Sequence, residues 1–156
     1  VAVKRPVKRS IPAWPRVWCG GPAEPQGAPA VDVTFDVDTR NTSNAGGGRG
    51  KAGWAAVHRA EEARNALGLA LTFDDDRIAL LAARGPWCVR LTRLSSSKRP
   101  LDDDAPPGAL KAIRDAVAFA LEVDDGDLSI AFCYAQAQRP GPLGVRVEIW
   151  GVEATP

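Results

Sequence analysis

Asp102 and Asp104 stand two residues apart in RPLDDDAPP, and Asp124, Asp125 and Asp127 follow the amphipathic stretch that comes next. On extended backbone, side chains two apart point the same way, so Asp102 and Asp104 can face one target. Carboxylates this close repel, and they persist together where solvent screens them or a cation lies between them. Oxygen ligands without His or Cys suit Mg²⁺, with Mn²⁺ as the second fit, because hard cations take carboxylates. If the return from helix to sheet brings the two clusters together, Asp102, Asp104, Asp124 and Asp125 form a metal set. The plainer alternative is a helix flanked by solvated acids. That alternative suits the first cluster, which stands where a helix begins. The second stands at the helix C-terminus, where the dipole disfavours carboxylates by about 0.3–1 kcal/mol. On the residues alone both readings stay open.

Lys111 and Asp115 lie one helical turn apart between the two clusters. They read either as an ordinary helix-face ion pair or as a cation placed to stabilise charge on a phosphate.

The elements that must position these groups are written in the hydrophobic periodicity. VDVTFDV puts Val31, Val33, Phe35 and Val37 on one side of a strand. After the polar DTRNTSNAGGGRGKAG comes a helix from about Trp54 to Ala70. Its Trp54, Val57, Ala60/Glu61, Arg64 and Leu67/Leu71 positions make a weak apolar stripe. Asp74 to Arg84 reads as a short helix capped by an Asp. WCVRLTRL, Trp87 to Leu94, alternates again, with Trp87, Val89 and Leu91 on one side. Pro106 and Pro107 suit the first turn of the next helix, whose apolar face is Leu110, Ile113, Val117, Ala120 and Leu121. Two further strands, Leu128 to Ala135 and Gly144 to Gly151, are joined by the turn-rich QRPGPLG. The order β-α-(α)-β-α-β-β implies an α+β fold, a single mixed β-sheet with helices packed on it.

A chain of 156 residues fits one domain with a real core. Six prolines in residues 1–30 make that segment an irregular, basic, Pro/Gly-rich arm ahead of a domain spanning 31–156. Trp14 and Trp18 in the arm either pack back onto the domain or stack on a ligand. The net charge is only +1, but the charges are unevenly placed. The arm has five Lys/Arg against Glu24, and Arg84, Arg90, Arg93, Lys98 and Arg99 have no acid among them. The three cysteines are scattered and His58 is the single histidine. This argues against a zinc site or a disulfide framework and suits a reducing compartment. No apolar run approaches the roughly 18 residues of a membrane span, and the N-terminal stretch lacks the apolar core of a secretory signal. A soluble, cytoplasmic protein is expected.

GRGKAG, Gly48 to Gly53, matches a dinucleotide-binding G-x-G-x-x-G in letters only. About ten polar residues separate it from Val37, so the first Gly does not sit in the turn directly after the strand. The overlapping AGGGRGKA fails as a phosphate loop because Ala45 and Ala52 replace the Gly and the Mg²⁺-binding hydroxyl. Arg49 and Lys51 there remain available to a phosphate backbone.

The ordered series Asp102-x-Asp104, Lys111, Asp115, Asp124-Asp125 resembles the signature of RusA-type Holliday junction resolvases, small endonucleases common in phages and prophages. NTSN, Asn41 to Asn44, with Trp54 following, is similar to the segment before that family's basic helix. The likeness covers roughly Val31 to Gly151. Ala105 stands where the family has Asn, and the run from Asp104 to Lys111 is longer than usual. The resemblance implies a Mg²⁺-dependent, structure-selective DNA endonuclease acting on four-way junctions in recombination and repair. Asp102, Asp104, Asp125 and Lys111 would be catalytic, Asp124 would assist at the metal, and the protein would work as a homodimer. Arg49, Lys51, Arg59, Arg90, Arg93, Lys98 and Arg99 would contact DNA, as a site of acids requires for a polyanion. Two alternatives stand beside it: a catalytically impaired nucleic-acid-binding protein of the same fold, and a metal-dependent phosphatase acting on a small phosphate ester. The basic flanks favour a polymer over a small ester.

Overall fold

The computed structural model describes residues 17–18, 27–40, 51–71, 76, 78–79, 85–99, 105–124 and 126–151. In chain order the elements are β1 (Val17–Trp18), β2 (Val31–Asp36), α1 (Lys51–Leu71), β3 (Trp87–Ser95), α2 (Ala105–Ala109), α3 (Lys111–Ala120), β4 (Ile130–Gln138) and β5 (Gly144–Gly151). The strands form one mixed sheet in the order β1-β4-β3-β5-β2. β3 and β4 are parallel, in register from Trp87↔Ile130 to Ser95↔Gln138, and the other pairs are antiparallel. The α+β class and the single mixed sheet agree with the sequence patterns.

Alternation assigns the two faces. Val31, Val89, Leu91, Phe132, Val145, Val147 and Ile149 turn to the side on which α1 and α3 pack, and they form the main core with Leu67, Ile113 and Val117. Burial of such side chains is the principal favourable term in holding helices to the sheet. The apolar face expected for the helix after Pro107 is found on α3 and the two residues that flank it, with Leu110, Ile113, Val117 and Leu121 buried. One helix was expected there, but Leu110 interrupts it. α2 contains both prolines, and the i to i−4 ladder starts afresh with Arg114 N–H donating to Leu110 O at 2.9 Å.

Several local expectations are corrected. β1 is a two-residue edge strand inside the arm expected to lack strands, because Val17 and Trp18 lie between prolines and keep their N–H groups for pairing with β4. On α1 the inward stripe is Ala63, Leu67 and Leu71, while Trp54 (81% exposed), Val57 and Arg64 face solvent. β3 is buried along its whole length rather than on one side, because β4 and β5 flank it. The strand expected from Leu128 begins at Ile130, and Leu128 is fully exposed. Of the expected helix at 74–84, the described residues Asp76, Ile78 and Ala79 are helical.

β4 and β5 are consecutive in the chain yet do not pair. The connection crosses the end of β3, with Arg139 N–H donating to Ser95 O at 2.9 Å. Gly144 receives the crossing: a Cβ there would lie 2.7 Å from Arg139 Nη2 and 2.8 Å from Phe35 O.

The sheet face away from the helices carries charge. Arg90 grips Glu148 through Nε–Oε2 (2.6 Å) and Nη2–Oε1 (2.7 Å). Arg146 does the same to Asp32 at 2.8 and 2.7 Å and reaches Glu148 at 3.4 Å. Arg90 also lies over the Trp150 ring, 5.2 Å from its centroid.

Candidate functional site

The stretch after β2 begins to build a site. Val37 and Thr39 are buried, which leaves Asp38 and Arg40 on the outer side of the chain. Val37 N–H donates to Leu143 O at 3.1 Å, and Arg93 Nε donates to the Thr39 carbonyl at 3.2 Å. These bonds fix the segment against the sheet, and α1 and α3 stand beside it. Between them lies a cleft of about 280 Å³.

Charged groups line the cleft: Asp38 and Arg40 from the β2 exit, Arg59 from α1, and Lys111 and Asp115 from α3. Arg40 donates to both carboxylate oxygens of Asp38, and Arg59 Nε stands 3.8 Å from the same group. Hydrogen bonding from Arg40, outweighing partial burial, lowers the Asp38 pKa to about 2. Lys111 Nζ donates to Asp115 Oδ2 at 2.7 Å. Ala60, Ala63, Gly108, Ala109, Ala112 and Ile113 supply the apolar part of the lining. The arrangement can bind an anion, because three cations face two carboxylates.

The structure separates the residues read from the sequence. Lys111 and Arg59 come together in this cleft. Asp102, Asp104, Asp125 and Arg49 lie outside the described residues, and so does the convergence expected of the three acids. Lys51 opens α1, and its side chain is likewise outside the description. Lys98 and Arg99 are exposed just beyond β3. Arg90 and Arg93 do not present free guanidiniums to a phosphate backbone. Both are buried, one held by Glu148 and the other by the Thr39 carbonyl.

Asp124 occupies a different place from the cleft. The helix ends in a Schellman arrangement, with Glu122 N–H donating to Phe119 O and Val123 N–H to Ala118 O, and Glu122 takes φ +58°. A tight turn follows. Asp124 Oδ1 accepts from Gly126 N–H at 3.0 Å, and Asp127 Oδ1 accepts from Ser129 N–H at 2.8 Å. Acids at the disfavoured end of the helix thus have a local use, because short carboxylates substitute for backbone acceptors in turns. Since β3 and β4 run parallel in register, the crossover leaves at Ser95 and returns at Ile130. Asp124 therefore sits at the opposite end of the sheet from Lys98 and Arg99. Among the described residues no group of three His, Cys, Asp or Glu side chains is arranged to hold a metal.

Asp38 and Arg40 were missing from the residues expected of the site. Their signal was an Asp and an Arg two apart, directly after a strand. No described helix is long and apolar enough to cross a membrane. Compared with family models, curated proteins and solved structures, the chain matches none of them.

Proposed function

We propose that this protein is a Mg²⁺-dependent, structure-selective DNA endonuclease that hydrolyses phosphodiesters at four-way junctions, working as a homodimer in a cytoplasmic compartment. The observation that carries this is the cleft: Lys111 stands there with Arg59 and Arg40, and α2, which follows Asp102-x-Asp104 directly in the chain, supplies part of its wall. The oxygen-only chemistry of Asp102 and Asp104 fits Mg²⁺, which takes one or two carboxylates beside water and substrate phosphate and when bound would neutralise charge and lower the barrier to attack by water. Asp124 lies at the far end of the crossover with one oxygen committed to its turn, and it and its neighbour Asp125 are left out of this set. Lys111 stabilises charge on the phosphate, and Asp115 holds its ammonium in position. Arg59, Lys98 and Arg99 take neighbouring phosphates.

A second function is favoured by two specific observations, the place of Asp124 at the far end of the crossover and Ala105 at the start of α2. It is junction binding without cleavage, by a protein of this fold that has lost its chemistry.

One experiment separates them. A labelled four-way junction is incubated with the protein with and without Mg²⁺, beside an Asp104→Asn variant. Paired nicks that need Mg²⁺ and vanish in the variant, while the junction is still retained, support the endonuclease. Retention without nicks in Mg²⁺ or Mn²⁺ supports the binding protein, and a junction bound no better than linear duplex sinks both.

A further inference from the structure

We infer that the cleft between α1 and α3 receives one nucleotide of the DNA lying outside its base stack, with the base on the floor and the phosphate on the rim. The inference rests on the endonuclease function proposed above and adds how its substrate is recognised.

The floor is made where the helices face each other mainly through side chains no larger than methyl, with Ile113 as the one larger apolar group in the lining. Ala60 and Ala63 of α1 oppose Ala109 and Ala112 of α2 and α3. Larger residues at these positions would close the gap, since helix surfaces otherwise interdigitate. A planar ring buries apolar area on such a surface, and every base has such a face. Free phosphate would leave this floor uncovered.

The rim suits the rest of a nucleotide. Arg40, Arg59 and Lys111 against Asp38 and Asp115 leave one positive charge, the sign that an anionic ligand needs. The cations are held but not buried: the Lys111 side chain is 63% exposed, and Arg59 stands 3.8 Å from Asp38 rather than in a close pair. A phosphate can therefore draw them across without breaking a buried contact. Asp38 and Asp115 remain as acceptors for exocyclic amino groups, the contact carboxylates make with bases. At about 280 Å³ the cleft lies at the small end of ligand pockets and takes a single unit. Stacked, paired bases cannot enter, so the ligand is an unpaired or extruded nucleotide, as a branch point offers.

The test uses the whole chain, isotopically labelled, titrated with 2′-deoxyadenosine 5′-monophosphate and separately with inorganic phosphate, and followed by NMR. The nucleotide is expected to move the methyl signals of Ala60, Ala63, Ala109 and Ala112, whereas phosphate moves only the side-chain signals of Arg40, Arg59 and Lys111. Ala112→Phe, and independently Ala60→Phe in case the first fails to fold, should weaken the nucleotide about tenfold and phosphate by no more than about twofold. Floor signals that stay still, equal affinity for phosphate and nucleotide, or a folded, filled variant that binds the nucleotide as the parent does would each overturn the inference. Junction cleavage distinguishes its failure from that of the proposed function. Nicking at the parental rate by a folded Ala60→Phe protein removes the slot and leaves the nuclease. Nucleotide bound on the floor of a protein that never nicks a junction removes the nuclease and leaves the slot.

Discussion

Arg90 and Glu148 meet across β3 and β5 through two hydrogen bonds of 2.6 and 2.7 Å, with side chains only 11% and 3% exposed. Each charge is removed from water and is compensated chiefly by the other, with Arg146 3.4 Å from Glu148 beside them. Breaking such a pair leaves an uncompensated buried ion and costs about 3–5 kcal/mol. Glu148→Ala should therefore lower stability by about that amount in urea unfolding. The double variant Arg90→Met, Glu148→Leu should recover most of the loss, since apolar side chains replace a buried pair well. A Glu148→Ala protein as stable as the parent would show that the pair is not structural.

Lys111 and Asp115 form a pair of another kind, exposed and one turn apart. Removing it by Lys111→Ala should cost about 0.3–0.5 kcal/mol of stability. If Lys111 stabilises charge on the phosphate, the single-turnover cleavage rate should fall by about 10²–10³. A rate that falls no further than the stability change explains would confine Lys111 to its helix pair.

Asp38 sets a pH limit on the cleft. Its folded pKa of about 2 lies below the ordinary 3.8, chiefly through the hydrogen bonds from Arg40. The folded state binds the proton more weakly than the unfolded chain does. The contribution of this contact is therefore complete above about pH 4 and is lost as pH falls through about 2. An NMR titration of the Asp38 carboxyl should show a midpoint near 2, and Arg40→Gln should raise it toward 3.8. A midpoint that ignores the substitution would disconnect the two residues.

Glu122 adopts φ +58° at the end of α3. A side chain there strains against the following carbonyl, by about 1–2 kcal/mol in a left-handed conformation, whereas glycine does not. Glu122→Gly should raise the thermal midpoint, with a gain of about 0.5–1 kcal/mol after the entropy of glycine is subtracted. A lower midpoint would mean that the Glu122 side chain makes a contact worth more than the strain.

The facing of α1 can be read from two substitutions. Leu67 is 2% exposed and Trp54 is 81% exposed. Leu67→Ala should cost about 2–5 kcal/mol by leaving a cavity, and Trp54→Ala should stay within about 0.5 kcal/mol. Equal losses in urea unfolding would place Trp54 in the core.

Local pattern was enough for the faces of β2 and for the buried side of α3. The alternation of Val31, Val33, Phe35 and Val37 marks the side of β2 that packs on the core, with Val33 and Phe35 partly buried, and the spacing of Leu110, Ile113, Val117 and Leu121 marks a buried face, because side-chain direction along an element follows from backbone geometry alone. α1 was harder because alanines occupy several of its faces, so the larger Trp54 and Val57 drew the stripe to the solvent side. The cleft was half legible. Lys111 and Asp115 stand one turn apart on any helix, but Asp38 and Arg40 join them through tertiary bonds, Val37 to Leu143 and Arg93 of β3 to Thr39, that hold the β2 exit beside α3.

Asp124 shows the limit from the other side. Its acidity was plain in the sequence, while its separation from the start of the crossover follows from β3 and β4 being parallel neighbours. Strand order depends on pairing between distant segments, and no local period encodes it. Arg90 marks the same division. In sequence it is a polar residue at an alternate strand position, which reads as solvent-facing and free to meet a phosphate. The carboxylate that lets it lie buried on that face is 58 residues away on β5, and only the folded sheet brings that charge close enough to replace the water Arg90 gives up.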